Sequence, residues 1–123
     1  MAAALNRIEV ERRGDVAATV RLGGEHDLSS ADELTGRLDE LIAEGRSVVV
    51  DLAPTTFVDS SILAALLEGR KRSSEAGVEL TLSMPPVTAP AVRRVVEITG
   101  LGAAVPTREE PDEPPAGEGE PVR

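Results

Sequence analysis

The chain is 123 residues long, which allows one domain but is too short for two full hydrophobic cores. Its formal net charge is -9 and Phe57 is its only aromatic residue, so a basic surface for nucleic acid and base stacking on aromatic rings are both excluded. It has no cysteine and a single histidine, His26, so we expect no disulfide, no metal site and no cofactor.

Two segments near the N-terminus alternate apolar and polar residues, as half-buried strands do. In the first segment, Ile8 and Val10 alternate with glutamates, and in the second every other position from 16 to 22 is apolar. Gly14 and Asp15 offer a tight turn between the two segments. The pattern therefore predicts an antiparallel hairpin at the start of the fold.

A helix and a buried strand are predicted next. Ser30 and Glu33 form a capping box, the apolar residues after them keep helical spacing, and Gly45 stands where a C-terminal cap belongs. Residues 48–50 are consecutive valines, a run typical of a central strand that is covered on both faces. We expect Phe57, at the end of this central region, to lie in the core.

The second half of the chain predicts two more helices with a strand between them. One helix begins at about Asp59 and is stopped by Gly77. Residues 78–82 alternate as in a strand with one covered face. The last helix has Pro90 in its first turn and ends at Gly100, where a following leucine fits a Schellman-type stop.

The order of elements defines the fold class. Residues 103–105 are expected to add a short last strand to the pattern β-β-α-β-α-β-α. Strands separated by helices imply right-handed parallel crossovers. The sequence therefore predicts an α/β fold in which an N-terminal antiparallel hairpin is followed by parallel β-α-β-α-β in one mixed sheet packed with helices.

The composition changes after residue 107. Residues 108–123 contain four prolines and six acidic residues against two basic ones, a net charge of -4. We predict that residues 108–123 form a disordered acidic, proline-rich tail and that residues 1–107 form a single domain. No signal peptide and no membrane-spanning run is visible, so we expect a cytoplasmic protein with no membrane partner.

The sequence contains none of the common catalytic motifs. It has no Walker-type phosphate loop, no G-x-S-x-G nucleophile elbow and no H-E-x-x-H motif. A serine hydrolase built on Ser60, His26 and Asp27 would need the acid to orient the histidine, and residues adjacent in sequence seldom align in that way. We therefore expect that the chain is not an enzyme.

The turn from the central strand into the second helix is the most informative segment. Partners and ligands of open α/β sheets bind at the C-terminal ends of strands. A phosphate on Ser60 or Ser61 could be hydrogen-bonded by unpaired N–H groups of the first helical turn, and it would add a charge of about -1.5 to -2 beside Asp59. Such a charge could repel a partner. A plain helix cap is the competing interpretation of an isolated Asp-Ser-Ser triplet, and local chemistry does not choose between the two serines.

Three segments together resemble the STAS family of bacterial anti-anti-sigma factors, also called anti-sigma factor antagonists. They read VRLGGEHDLSSADEL, VVVDLAPTTFVDSSILAALL and APAVRRVVEITGL, in the family's order and spacing. The resemblance implies a STAS-like fold over residues 8–105 and a function in sigma-factor regulation. It implies that the unphosphorylated protein binds an anti-sigma factor that is also a serine kinase with a histidine-kinase-like ATP site. It further implies that binding releases the sigma factor, that phosphorylation ends the complex, and that a phosphatase restores the serine.

The resemblance also assigns candidate residues. It places the phosphoacceptor at Ser60, between acidic positions of the family and beside a second serine. The partner-binding and switch surface expected from it comprises Glu25, His26, Asp27, Asp59, Ser61 and Ile62. His26 is expected in a surface loop near the partner.

One position departs from the family pattern. Glycine is common after the two serines, and here the residue is Ile62. A β-branched residue cannot adopt glycine-only dihedral angles, so Ile62 fits only if the turn needs a helical backbone, in which case it could contact the partner. This departure motivates an alternative function, a STAS scaffold subunit of a stress-signalling complex or a lipid-transport assembly that is not phosphorylated.

Overall fold

A single mixed sheet with helices on one face organises residues 6–112, which are the residues that the computed structural model describes. The elements in chain order are β1 (Asn6–Arg13), β2 (Ala17–His26), α1 (Leu28–Ala43), β3 (Ser47–Asp51), β4 (Thr55–Val58), α2 (Ser60–Ala76), β5 (Leu80–Ser83), α3 (Pro90–Thr99), α4 (Leu101–Ala104) and β6 (Thr107–Arg108).

The topology of the sheet confirms the predicted α/β class. Strands β1 and β2 form the antiparallel hairpin, and β3, β5 and β6 continue the sheet in parallel. The alternation in β2 directs Ala18, Val20 and Leu22 into the core, where each is at most 2% exposed. None of the helices within residues 6–112 has the length and apolar character needed to cross a bilayer.

Two strands differ from the prediction. Residues 55–58 form β4, a separate strand that pairs in parallel with the end of β2 after a register shift between Gly24 and Glu25. The last strand is β6, whereas residues 103–105, predicted as a strand, lie in and just after the short helix α4. Gly100, with φ of 74°, ends α3 in the left-handed conformation, and a new helical turn begins at once because Leu101 is buried in the core.

Helices α1 and α2 pack against each other and cover the apolar face of the sheet. Gly69 lies on the buried side of α2, which faces α1 and β5. A Cβ atom on Gly69 would lie 3.0 Å from Cδ1 of Leu38 in α1 and 3.2 Å from Cδ1 of Leu80 in β5. The glycine that reduces helix propensity therefore allows the three elements to come together.

The segment after β6 crosses the polar face of the sheet, opposite the helices. Asp112 is 9% exposed and accepts hydrogen bonds from the Thr19 hydroxyl (2.7 Å) and from Nη2 of Arg108 (2.9 Å). Its carboxylate also lies 3.3 Å from Nη2 of Arg13. The packed part of the chain thus extends beyond residue 107, the boundary predicted from composition, because these cations and the hydroxyl hold Asp112. The remainder of the predicted tail, residues 113–123, lies outside the described residues.

A pH titration can test the contacts that join β1 to the end of α1. Hydrogen bonds from Arg12 (2.9 and 2.7 Å) and from Arg46 lower the pKa of the exposed Glu44 carboxyl from 4.5 to about 2. A lowered folded-state pKa means that the stability contributed by this carboxylate is present above about pH 4.5 and is lost as the pH falls toward 2. We expect the carbon-13 chemical shift of this carboxyl to titrate near pH 2, and nearer 4.5 in Arg12→Ala. Equal midpoints in both proteins would contradict the assigned contacts.

Candidate functional site

Strands β2 and β4 end side by side, and each is followed by a helix that begins on an aspartate. His26 of β2 lies opposite Val58 of β4 in parallel register. Asp27 and Asp59, the next residues, therefore emerge at the same edge of the sheet, where they are the N-caps of α1 and α2. The carboxyl ends of two neighbouring strands thus create one shared surface.

The two caps use the same hydrogen bonds. Asp59 Oδ1 accepts from the Ser61 backbone N–H (2.9 Å), the Ser61 hydroxyl (2.5 Å) and the Ile62 N–H (3.4 Å). Asp27 Oδ1 likewise accepts from the N–H (2.9 Å) and the hydroxyl (2.6 Å) of Ser29. The hydroxyl and N–H of Ser29 hold the pKa of the Asp27 carboxyl below its ordinary value. Both aspartates therefore cap the first turn of the helix that follows them.

The structure distinguishes the two serines that local sequence left equivalent. Ser60 is the first residue of α2, is exposed, and its hydroxyl makes no hydrogen bond to any residue of the described range 6–112. Ser61 is half-buried, and its hydroxyl donates to Asp59. An incoming phosphoryl donor can therefore reach the Ser60 oxygen without breaking a hydrogen bond, whereas the Ser61 oxygen must first leave the cap.

The first turn of α2 is less open to an anion than the sequence suggested. The N–H groups of Ser61 and Ile62 already donate to Asp59, and the N–H of Leu63 donates to the Asp59 carbonyl at 3.2 Å. The expectation of unpaired N–H groups ready for a phosphate is wrong at these three residues. A phosphate on Ser60 would instead lie beside a carboxylate, with little compensation from the backbone.

His26 is not in a surface loop, contrary to the sequence-based expectation. It is the last residue of β2, is fully buried, and its Nε2 donates to the Gly23 carbonyl at 3.0 Å. Nδ1 forms a hydrogen bond with the Ser30 hydroxyl at 3.0 Å. His26 thus connects the end of β2 to the first turn of α1, and neither ring nitrogen is available to a partner or to Ser60.

Ile62 is buried and Phe57 is exposed, the opposite of what the sequence predicted for each. Ile62 is fully buried and has a helical backbone in the first turn of α2, so it belongs to the core rather than to the partner surface. Phe57, predicted in the core, is 44% exposed, because Val58 faces the core and successive residues of a strand face opposite sides. Leu28, at the position after Asp27 that corresponds to Ser60 after Asp59, is 74% exposed.

A groove of about 330 Å³ lies beside Ser60, between the first two turns of α2 and the junction of α3 with α4. Its walls are mainly apolar and include Leu63 and Leu67 on α2 and Leu101 on α4. Ser60 lines one end of it. Sequence reasoning did not find this groove, because it is formed by residues about 40 positions apart that only the fold brings together.

The comparisons with known proteins agree with this geometry. A family model described as Mlab, STAS domain matches residues 10–106. The chain belongs to the STAS domain family. No curated protein matches the sequence significantly.

Several solved structures resemble this STAS domain. An anti-sigma factor antagonist from Mycobacterium paratuberculosis has 25% identity and a TM-score of 0.69 over 85% of this chain and 86% of its own. The Bacillus cell fate determinant SpoIIAA in its phosphorylated form has 21% identity and a TM-score of 0.65, with 85% and 93% covered. A sulfate transporter family protein from Wolinella succinogenes has 19% identity and a TM-score of 0.61, with 76% and 73% covered.

The STAS fold brings most of the predicted residues to one edge. Glu25 and Asp27 lie at the end of β2, and Asp59, Ser60 and Ser61 follow the adjacent β4. Within residues 6–112, none of the three acidic residues of this set forms an ion pair: Glu25, Asp27 and Asp59. The surface around the Ser60 hydroxyl is therefore acidic, with the exposed apolar side chains of Leu28 and Phe57 nearby in the fold.

Proposed function

We propose that this STAS domain is an anti-sigma factor antagonist whose binding is controlled at Ser60. In the unphosphorylated state it binds an anti-sigma factor that is also a serine kinase, so that a sigma factor is released. Phosphorylation of Ser60 by that partner ends the complex, and a phosphatase returns the protein to its binding state. The chain itself acts as a binding module in the cytoplasm rather than as an enzyme.

The exposed and unbonded hydroxyl of Ser60 is the observation that carries this proposal. It lies at the end of adjacent parallel strands, on a surface that another protein can reach. Two similar proteins support it: the M. paratuberculosis protein is an anti-sigma factor antagonist, and Bacillus SpoIIAA exists in a phosphorylated form. His26, the residue that a hydrolase would require as base, is occupied by Gly23 and Ser30.

Phosphorylation acts on the surface and leaves the fold intact. The kinase transfers the γ-phosphoryl group of Mg-ATP to the Ser60 oxygen, releasing ADP and the hydroxyl proton. The product adds a charge of about -1.5 to -2 beside Asp59, whose carboxylate already caps α2. A partner that fits the neutral hydroxyl then meets a hydrated dianion, while the hydrogen bonds of the cap remain in place.

Phosphosite mapping tests the assignment. We expect wild-type protein, incubated with its cognate anti-sigma kinase and Mg-ATP, to incorporate one phosphate, and Ser60→Ala to incorporate none. Ser61→Ala is the matched control, since it removes the neighbouring hydroxyl and should still be phosphorylated. Intact-mass and peptide spectrometry measure both. Undiminished incorporation in Ser60→Ala would disprove the role of Ser60.

Substitutions of Ser60 should also change the affinity for the anti-sigma kinase. Ser60→Glu should bind the anti-sigma kinase at least about tenfold more weakly than wild type, because a carboxylate replaces the neutral hydroxyl next to Asp59. Ser60→Ala should bind with nearly wild-type affinity. Calorimetry without ATP measures both affinities, and equal affinity of Ser60→Glu and wild type would contradict the switch.

A constitutive scaffold subunit of a stress-signalling complex or a lipid-transport assembly is the second candidate. The similarity to a sulfate transporter family protein supports it, since a related fold occurs in a protein of a transporter family. Ile62 no longer favours it, because the helical backbone at this position does not require glycine. Co-purification with a transporter ATPase, without phosphorylation of Ser60 by any anti-sigma kinase, would favour this candidate.

A further inference from the structure

The groove beside Ser60 exposes apolar surface that the domain does not cover itself. It is lined by Ser60, Leu63, Ala64, Leu67, Gly100 and Leu101, among others. Leu67 is 44% exposed on its wall, whereas Leu63 and Leu101 are buried and form its base. The small residues Ala64 and Gly100 leave room for a side chain from outside.

Acidic residues lie near the Ser60 end of the groove. Asp59 adjoins Ser60, with Glu25 and Asp27 on the neighbouring strand end, and none of the three has an ion-pair partner within the described residues. An occupant of this groove therefore meets apolar walls and, next to Ser60, the carboxylate of Asp59, which caps α2 but has no ion-pair partner within the described residues.

This pattern specifies the chemistry of the occupant. Resting on the function proposed above, we propose that the groove receives an apolar side chain of the anti-sigma factor, adjacent to a lysine or arginine of the same partner that faces Asp59. Burial of Leu67 and of the incoming side chain supplies the affinity, and the opposite charges set the orientation.

The arrangement explains how one phosphate can act on a largely apolar contact. Ser60 forms the end of the groove, so the apolar side chain docks directly beside its hydroxyl. A phosphate there keeps its water shell, and docking would have to remove that water next to apolar walls. The phosphate therefore opposes docking by its hydration as well as by its charge.

Matched charge substitutions test the groove. Leu67→Glu should weaken binding of the unphosphorylated protein to its anti-sigma kinase by about tenfold to a hundredfold. Val16→Glu is the control: Val16 is 71% exposed but lies before β2, about 30 Å along the strand from His26, and the substitution adds the same charge. A second variant, Ala64→Phe, fills the groove without adding charge and should also weaken binding about tenfold. Calorimetry gives the affinities, and thermal melting verifies that each variant is folded.

The outcomes separate this proposal from the proposed function. If folded Leu67→Glu and Ala64→Phe bind with wild-type affinity, the groove does not receive the partner's side chain. The proposals of Ser60 phosphorylation and of partner binding would then still stand. An equal loss in Val16→Glu would also overturn the groove proposal, since a general charge effect would then explain the result. If the wild-type protein does not bind the kinase, both proposals fall. Weakened binding in both groove variants, with an unchanged control, supports the groove.

Discussion

Replacing Ile62 by glycine, the residue common at this position in the family, is expected to lower the free energy of unfolding by about 4 kcal/mol. Ile62 is fully buried in the first turn of α2. Truncating a buried isoleucine to alanine costs about 2–5 kcal/mol, and glycine in a helix costs about 1 kcal/mol more than alanine. Urea denaturation monitored by circular dichroism measures the change.

A glycine substitution on the exposed side of the same helix controls for helix propensity. Ala64→Gly removes one exposed methyl group and should cost only about 1 kcal/mol. If Ile62→Gly does not fold, Ile62→Val provides a milder test, with an expected cost of about 1 kcal/mol. A cost for Ile62→Gly no larger than that for Ala64→Gly would show that Ile62 is not part of the core.

Isoleucine in place of the family's glycine at position 62 is compatible with the proposed switch at Ser60. The helical backbone at Ile62 needs no glycine, so the proposed phosphorylation of Ser60 does not require one. The Ile62 side chain stabilises the start of α2 by packing in the core, whereas Ser60 is exposed to solvent. Ile62→Val should therefore be phosphorylated at nearly the wild-type rate although it is less stable.

Removing the Asp112 carboxylate is expected to have the second large effect. Asp112→Ala should lower the free energy of unfolding by about 3 kcal/mol, because it removes a buried carboxylate and leaves the mostly buried Arg13 paired with Glu11 alone among the described residues. The affected groups are Arg13, whose side chain is 10% exposed, the Thr19 hydroxyl, and to a smaller degree the more exposed Arg21 and Arg108. Chemical denaturation of the full chain measures the loss.

Two comparisons complete the test of this contact. Glu109→Ala removes an exposed carboxylate from the same segment and should change the stability by less than about 0.5 kcal/mol. A chain shortened to residues 1–107 should be destabilised about as much as Asp112→Ala or more, since it loses the same carboxylate together with Arg108. If shortening to residue 107 leaves the stability unchanged, the domain ends where the composition predicted and the contacts of Asp112 contribute nothing.

The Asp-x-Ser pattern could have revealed more from the sequence than it did. Asp27-Leu28-Ser29 repeats the local pattern of Asp59-Ser60-Ser61, and the structure shows the same cap at both sites. The match is not obvious from the sequence, because Ser30 and Glu33 satisfy the capping-box pattern and predict that the helix begins at Ser30, whereas Asp27 is the actual cap. The sequence thus contains two possible N-caps within one turn, Asp27 and Ser30, and the structure uses Asp27, which gives the longer helix.

Local patterns by themselves determined most of the fold. Alternation at every second residue identified the core side of β2, and the glycines at 77 and 100 marked helix ends because a left-handed residue stops a helix at little cost only when it has no Cβ. The same local signals, taken together in order, carried the resemblance to the STAS family and pointed to Ser60. These inferences hold because each depends on residues a few positions apart.

Only the tertiary structure decided which side chains are exposed at the site and at the domain boundary. His26 is buried because β4, about 30 residues later in the chain, pairs with the end of β2. Phe57 belongs to β4, and its side chain is exposed because Val58, the next residue, faces the core. Asp112 is packed because Thr19, 93 positions earlier, donates to it across the sheet. Long-range pairings of this kind leave no periodic trace in the sequence, since the energy that selects them comes from burial and hydrogen bonding in the assembled fold.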